Sequence, residues 1–236
     1  DYVCVGKEDV VECPVHFLGR GMEGWSEAAS VPLGGLTAYR AVFTKANVKE
    51  GQNVLITGIG GGVAIQALQY CIAIGANVWV SSSSEDKIAR AVALGAKGGI
   101  NYKDPAWPKT LTTLLPKSRP YLDAVIDSGG GQIVNQSTRL LKHGGIVSCY
   151  GMTGGGDVSI GMGAVLKNIE FRGSTMGSRA EFIAAVKFIE KHEIRPVVYK
   201  VIDGLARAEE GFEIMKQGGQ FGKIVISVAM DDQRKL

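Results

Sequence analysis

The sequence predicts an α/β fold organised on a doubly wound parallel sheet, and three observations carry that prediction. From residue 53 onward, short apolar runs rich in β-branched residues alternate with stretches of helical periodicity. Glycines stand at the joints between them. The strands are separated by helices of about 10–15 residues, which is the crossover length that returns a chain to lay strands side by side in parallel.

Taken in order, residues 53–57 (NVLIT) read as a buried strand and 58–62 as a glycine turn. Residues 63–74 then place Val63, Ala67, Leu68, Cys71 and Ile74 at helical spacing, and Gly75 closes that helix. A strand follows at 77–81 (NVWVS), then a helix at 85–94 with Glu85 and Asp86 in its first turn, where the helix dipole favours acids, ending at Gly95. Residues 99–102 are a short strand, 107–115 an amphipathic stretch between prolines, 122–127 (LDAVID) a strand, 133–141 a helix ended by Gly144, and 145–150 a strand. One more strand at 168–173 and a helix at 180–192 complete the rhythm. The two ends break it. Residues 1–35 are interrupted by Pro14, Gly19, Gly21, Gly24 and Pro32, and residues 196–236 hold a strand (197–202), a helix (206–216) and a last strand (223–228). The chain therefore divides into 1–35, 36–195 and 196–236.

Bulk properties exclude several classes. A hydrophobic share of 45% over 236 residues supports a packed core. A net charge of +3 without a basic cluster argues against a nucleic-acid surface. No run approaches the ~18 apolar residues of a membrane span, no signal peptide is visible, and the protein is expected in the cytoplasm. Cys4, Cys13, Cys71 and Cys149 form no CxxC pair; Cys71 and Cys149 sit in apolar stretches and read as small core residues. Asp127 reads as a strand-end acid bonding nearby backbone, and His143 and His192 as residues near helix C-termini.

The composition that stands out is 33 glycines, in runs at 60–62, 129–131 and 154–156 just after apolar strands, where a backbone must approach a ligand closely. The segment Gly58-Ile59-Gly60-Gly61-Gly62-Val63-Ala64 joins a strand to a helix, the arrangement that lets a pyrophosphate reach free N–H groups at a helix N-terminus. A glycine pattern alone is also compatible with an ordinary turn, but the βαβ units that follow favour a Rossmann-type dinucleotide site. NAD-preferring sites end the second strand with Asp or Glu on the ribose 2′-hydroxyl. Here Ser81-Ser82-Ser83-Ser84 stands in that place, with Lys87 within one helical turn, which points to NADP(H). Other readings remain open at this point: Glu85 or Asp86 could take the ribose, Ser84 could be a helix N-cap, and Lys87 a solvated helix residue.

The run from Ala28 to Tyr39 (AASVPLGGLTAY), the pair Leu94-Gly95-Ala96-Lys97 and Ile100-Asn101-Tyr102, the strand Gly144-Gly145-Ile146-Val147 with Gly151, and Phe221-Gly222-Lys223-Ile224-Val225 resemble medium-chain dehydrogenases/reductases, in particular the zinc-independent, quinone-oxidoreductase-like subgroup. The resemblance covers essentially the whole chain. It implies that Gly58, Gly60, Gly61, Gly62 and Val63 line the pyrophosphate and that Ser83, Lys87 and Tyr102 hold the 2′-phosphate. By the same resemblance Ser128 lies at the adenosine side, Thr37 by the nicotinamide, and Tyr150, Gly151 and Met152 by the nicotinamide ribose or carboxamide. Zinc-dependent members carry a Cys ligand near the position of Leu33, which cannot bind the metal, and Cys4, Cys13 and His16 lack structural-zinc spacing, so no metal site is expected. The family implies a β-rich GroES-like catalytic domain, of which 1–35 and 196–236 read as remnants at the two ends, leaving a half-built substrate cleft and exposed apolar surface.

The function expected is NADPH-dependent hydride transfer to an enone, quinone or carbonyl compound, with no single side chain singled out as catalytic. The alternative is an NADP(H)-binding module without turnover of its own. The strand at 168–173, with Ile169 and Phe171, is the expected homodimer edge; the other reading is an ordinary edge strand capped by Arg172.

Overall fold

The computed structural model describes residues 4–155 and 157–228; Gly156 and residues 229–236, read above as part of a glycine run and of the C-terminal segment, lie outside it, as do residues 1–3. The strands are β1 (Asn53–Ile56), β2 (Asn77–Ser82), β3 (Gly98–Asn101), β4 (Leu122–Asp127), β5 (Leu141–Cys149), β6 (Glu170–Gly173), β7 (Val198–Asp203) and β8 (Lys223–Ser227). The first six form one sheet in the order β3-β2-β1-β4-β5-β6, and every pairing in it is parallel. Strand order reverses direction between β1 and β4, so this is the doubly wound arrangement the alternation predicts. The helices are α1 (Gly21–Ala29), α2 (Leu36–Tyr39), α3 (Gly62–Ala73), α4 (Glu85–Ala93), α5 (Trp107–Leu114), α6 (Gly131–Thr138), α7 (Met162–Leu166), α8 (Arg179–Lys191) and α9 (Ala208–Gln217).

The period of two along a strand separates two cores. Val54, Ile56, Val78, Val80, Ala124 and Ile126 face a large apolar cluster completed by α3, α8 and the helical segment at 31–45. Leu55, Trp79 and Val125 point the other way, onto Trp107 and Leu111 of α5 and Val134 of α6, and Leu122 joins them out of phase, at the register shift between Leu122 and Ala124. Burial of each such side chain contributes roughly 1.5–3 kcal/mol. Asp123 sits within β4 at 3% exposure, and it is tolerated because Arg119 and Lys142 each reach its carboxylate at 2.8 Å and the Asn53 N–H donates to it at 2.9 Å.

Three sequence expectations are corrected. The described part of 1–35 is helical and not β-rich: α1 is followed by an unbroken helical run from Val31 to Lys45, whose two wide turns flank α2 and which crosses the 35/36 boundary. Gly19 and Gly21 do bend the chain, with φ of 72° and 54°, but Gly35 serves close packing, since a Cβ on it would lie 2.9 Å from the Tyr70 hydroxyl and 3.2 Å from Gln66 Oε1 of α3. The helix expected at 133–141 ends at Thr138, and β5 begins at Leu141, which is buried in the second core and pairs with Leu122. Lys167 Nζ, not Gly144, meets the carbonyls at that helix end, donating to Arg139 O at 2.8 Å and Leu141 O at 2.9 Å. His143 consequently lies in β5 rather than at a helix C-terminus, whereas His192 does follow α8. Third, Cys71 is fully buried, but Cys149 is only half-buried and its thiol donates to Gly151 O at 3.2 Å.

The C-terminal part forms its own βαβ unit, with β7 and β8 as a separate two-stranded parallel sheet and α9 between them. It is tied to α1 through Glu27, whose carboxylate receives Arg20 at 2.7 Å and Arg195 at 2.8 Å.

Candidate functional site

The glycine turn stands at the C-terminal end of β1, at the reversal of strand order, where open α/β sheets bind ligands. Gly58 (φ 64°) and Gly60 (φ 127°) occupy conformations that L side chains rarely adopt. Gly61 is the N-cap of α3 and no side chain caps that first turn, while the Gly61 N–H itself donates to Gly58 O at 3.3 Å. A Cβ on Gly61 would meet nothing closer than Gly58 O at 3.7 Å, so the turn is open at Gly61, while the Lys87 stem lies against Gly60 and the Lys223 stem against Gly62.

Beside the turn, Asp127 organises the second glycine run. It is fully buried, accepts from Thr57 Oγ1 at 2.6 Å, and takes the Gly129 and Gly130 N–H groups at 3.2 and 2.7 Å. The expected role of a strand-end acid is therefore observed. The third glycine run lies against the second: Gly154 N–H donates to Gly129 O at 2.7 Å, and a Cβ on Gly154 would stand 3.0 Å from that carbonyl oxygen. Burial, and then the nearby Asp127 carboxylate, push the Cys149 thiol up to about 11, so it stays a neutral donor.

These loops enclose a cleft of about 350 Å³, with Gly58, Tyr102, Ser128, Gly130, Gln136 and Thr153 among its walls. It unites three of the expected residues: Gly58; Tyr102, 43% exposed; and Ser128, whose hydroxyl donates to Thr57 O at 3.3 Å. The others lie around it. Gly60, Gly61, Gly62 and Val63 continue the turn into α3. Thr37 is buried on α2 with its hydroxyl unpartnered. Burial pushes the Tyr150 phenol above its ordinary value, and a Cβ on Gly151 would lie 2.9 Å from Ser128 O. Met152 is exposed.

At the end of β2, Ser84 is the N-cap of α4, its hydroxyl accepting from Lys87 N–H at 3.4 Å, while Ser83 is exposed beside it. Glu85 accepts from Asn101 Nδ2 at 3.1 Å. Lys87 is partly buried and not free. Its stem crosses Gly60 and its ammonium donates to Gly218 O at 2.6 Å; burial foremost, and then Arg90, hold its pKa below the ordinary lysine value.

The residues that sequence reasoning missed arrive from the C-terminal unit and from α6. Gly222 N–H donates to Gly60 O at 3.0 Å, and the Lys223 stem lies across Gly62, its ammonium pKa lowered by burial. Arg90 stacks over Phe221 at 4.3 Å. The matching Gly222-Lys223 pair was the one signal for this, and it carried no indication of the position. Gln132 and Gln136 gave none.

The fold and the turn together define a class: doubly wound α/β domains with a glycine turn at the switch point of a parallel sheet, where such sheets receive their ligands. Within it, the chain belongs to the zinc-binding dehydrogenase family, whose pattern matches residues 62–191. It is 48% identical over 234 residues to a zinc-type alcohol dehydrogenase-like protein of Leptosphaeria maculans, covering 97% of this chain and 64% of that relative. Among solved structures it resembles an NAD-dependent alcohol dehydrogenase (TM-score 0.84, 30% identity, 95% of this chain and 63% of that one). It also resembles a 2-octenoyl-CoA carboxylase reductase solved with NADP and 2-octenoyl-CoA (TM-score 0.82, 26% identity, 94% and 53%). The chain thus spans less than two thirds of the length of these proteins. Despite the family's name, no three His, Cys, Asp or Glu side chains gather into a metal site among the described residues, and Leu33 offers no ligand. The residues present do not fit zinc. They do fit a dinucleotide, through a helix start without a side-chain cap and the two lysines that lie against the glycine turn. No helix among the described residues is long and apolar enough to cross a membrane.

Proposed function

We propose that the protein is an NADP(H)-dependent oxidoreductase that transfers hydride to an enone, quinone or carbonyl compound. The observation that carries this reading is the pairing of an uncapped helix start at Gly61–Gly62 with a β2 end that presents serines and Lys87 in place of an acid. The bound cofactor supplies the hydride chemistry. The chain's residues bind and orient it. The turn from Gly58 to Val63 receives the pyrophosphate on backbone N–H groups, and the cationic stem of Lys223 lies beside it. Ser83, Lys87 and Tyr102 receive the 2′-phosphate, and Ser128 flanks the adenosine. Thr37, with its unspent buried hydroxyl, and Tyr150, Gly151 and Met152 flank the nicotinamide half. The names of the relatives support the oxidoreductase class, and both cofactors occur among them.

The second reading is a module that binds NADP(H) without turnover. Calorimetric titration with NADPH and NADH, followed by absorbance at the reduced-nicotinamide band with an enone added, separates the two. Binding with oxidation supports the enzyme, binding without it the module, and no binding of either dinucleotide refutes both.

The exposed strand β6 at the end of the sheet, with Phe171 40% exposed, supports a homodimer built through residues 168–173.

A further inference from the structure

One side chain in the cleft has its orientation fixed by a partner that leaves it no choice. Trp107 is 1% exposed, and its indole N–H, which can only donate, bonds Gln136 Oε1 at 2.9 Å. The oxygen of that amide is therefore committed to the α5 side, and the Nε2 amino group is the end of Gln136 left for other work. Gln136 itself lines the 350 Å³ cleft. The rest of the lining suits a flat heterocycle: the Tyr102 ring and the Ile133 side chain offer apolar surface, and Gly129, Gly130 and Gly154 offer bare backbone. The cleft draws on residues after β1, β3, β4 and β5 and on α6, and on none of the helical segment at 31–45 that bears Thr37. With Tyr102 set at the 2′-phosphate and Ser128 at the adenosine, as proposed above, it is the pocket for the half of the dinucleotide away from the nicotinamide.

We infer that Gln136 reads the base: its indole-locked amide donates from Nε2 to a ring nitrogen of the adenine. The inference rests on the dinucleotide reading above and deepens it. A donor held in place by a second hydrogen bond pays no ordering cost on binding and discriminates against a ligand that cannot accept.

The test uses Gln136→Glu, which keeps an oxygen for the Trp107 indole but replaces the amide donor with an acceptor, and Gln136→Met, which removes the donor without adding charge. Both should weaken NADPH about tenfold in calorimetry, while reduced nicotinamide mononucleotide, which lacks the base, binds them as it binds the wild type. Unchanged NADPH affinity in both variants overturns the inference, as does equal loss for the mononucleotide. Loss confined to Gln136→Glu assigns the effect to charge near the phosphates and overturns it too. Wild-type protein that binds neither NADPH nor NADH overturns the dinucleotide reading itself, and this inference with it.

Discussion

Lys87 Nζ donates to the carbonyl of Gly218 across 2.6 Å, joining the first turn of α4 to the C-terminal end of α9, where Gly218 adopts the left-handed conformation (φ 65°). The ammonium keeps two further N–H groups, so a 2′-phosphate can share it with the carbonyl. Lys87→Ala should weaken NADPH about tenfold and leave NADH unchanged, a hydrogen bond to a charged group being worth about 1.5–3 kcal/mol. Parallel titrations of the two cofactors check this. An equal loss for both would show that the lysine acts by holding α9 in place rather than by meeting phosphate.

Gly61 separates folding from binding. Its φ of −71° suits any residue, and a Cβ there has 3.7 Å of clearance. Gly61→Ala should melt within about 2 °C of the wild type, since a surface change of this kind costs at most ~0.5 kcal/mol, yet lose dinucleotide affinity because the methyl group occupies the approach of the pyrophosphate. Retained affinity would place the phosphates elsewhere.

Asp123 should set the acid limit of stability. Burial alone would raise its carboxyl pKa, but the bonds from Arg119, Lys142 and the Asn53 N–H outweigh that and hold it below the ordinary 3.8. A depressed folded-state pKa contributes stability that is fully present above the unfolded value and lost as pH falls through the folded one. Denaturation followed from pH 7 to pH 2 should therefore steepen below about pH 4, and Asp123→Ala should cost about 3 kcal/mol at pH 7 by leaving two cations and a buried N–H without their acceptor. A flat acid limb in the wild type would contradict this.

The dimer proposal has a direct measure. Phe171→Asp on β6 places a charge on an exposed strand face without touching the bonds Arg172 makes to Lys45 O and Glu170. Light scattering should report a dimer for the wild type and a monomer for the variant. A wild-type monomer ends the proposal.

What the sequence determined by itself was local and periodic. The alternation of Val54, Leu55 and Ile56 between two cores follows from the strand period, and the turn at Gly58–Gly62, the N-cap Ser84 and the closing Gly75 follow from backbone preferences that act within a few residues. The resemblance supplied the family. The tertiary structure alone decided what depends on residues far apart in the chain. Lys87 meets Gly218, Lys223 crosses Gly62, and Trp107 locks Gln136, none of which any periodicity encodes. It also decided which glycines of the N-terminal segment are bends and which are close approaches: Gly19 and Gly21 turn the chain with positive φ and open space, whereas Gly35 stands against Tyr70 and Gln66 of α3.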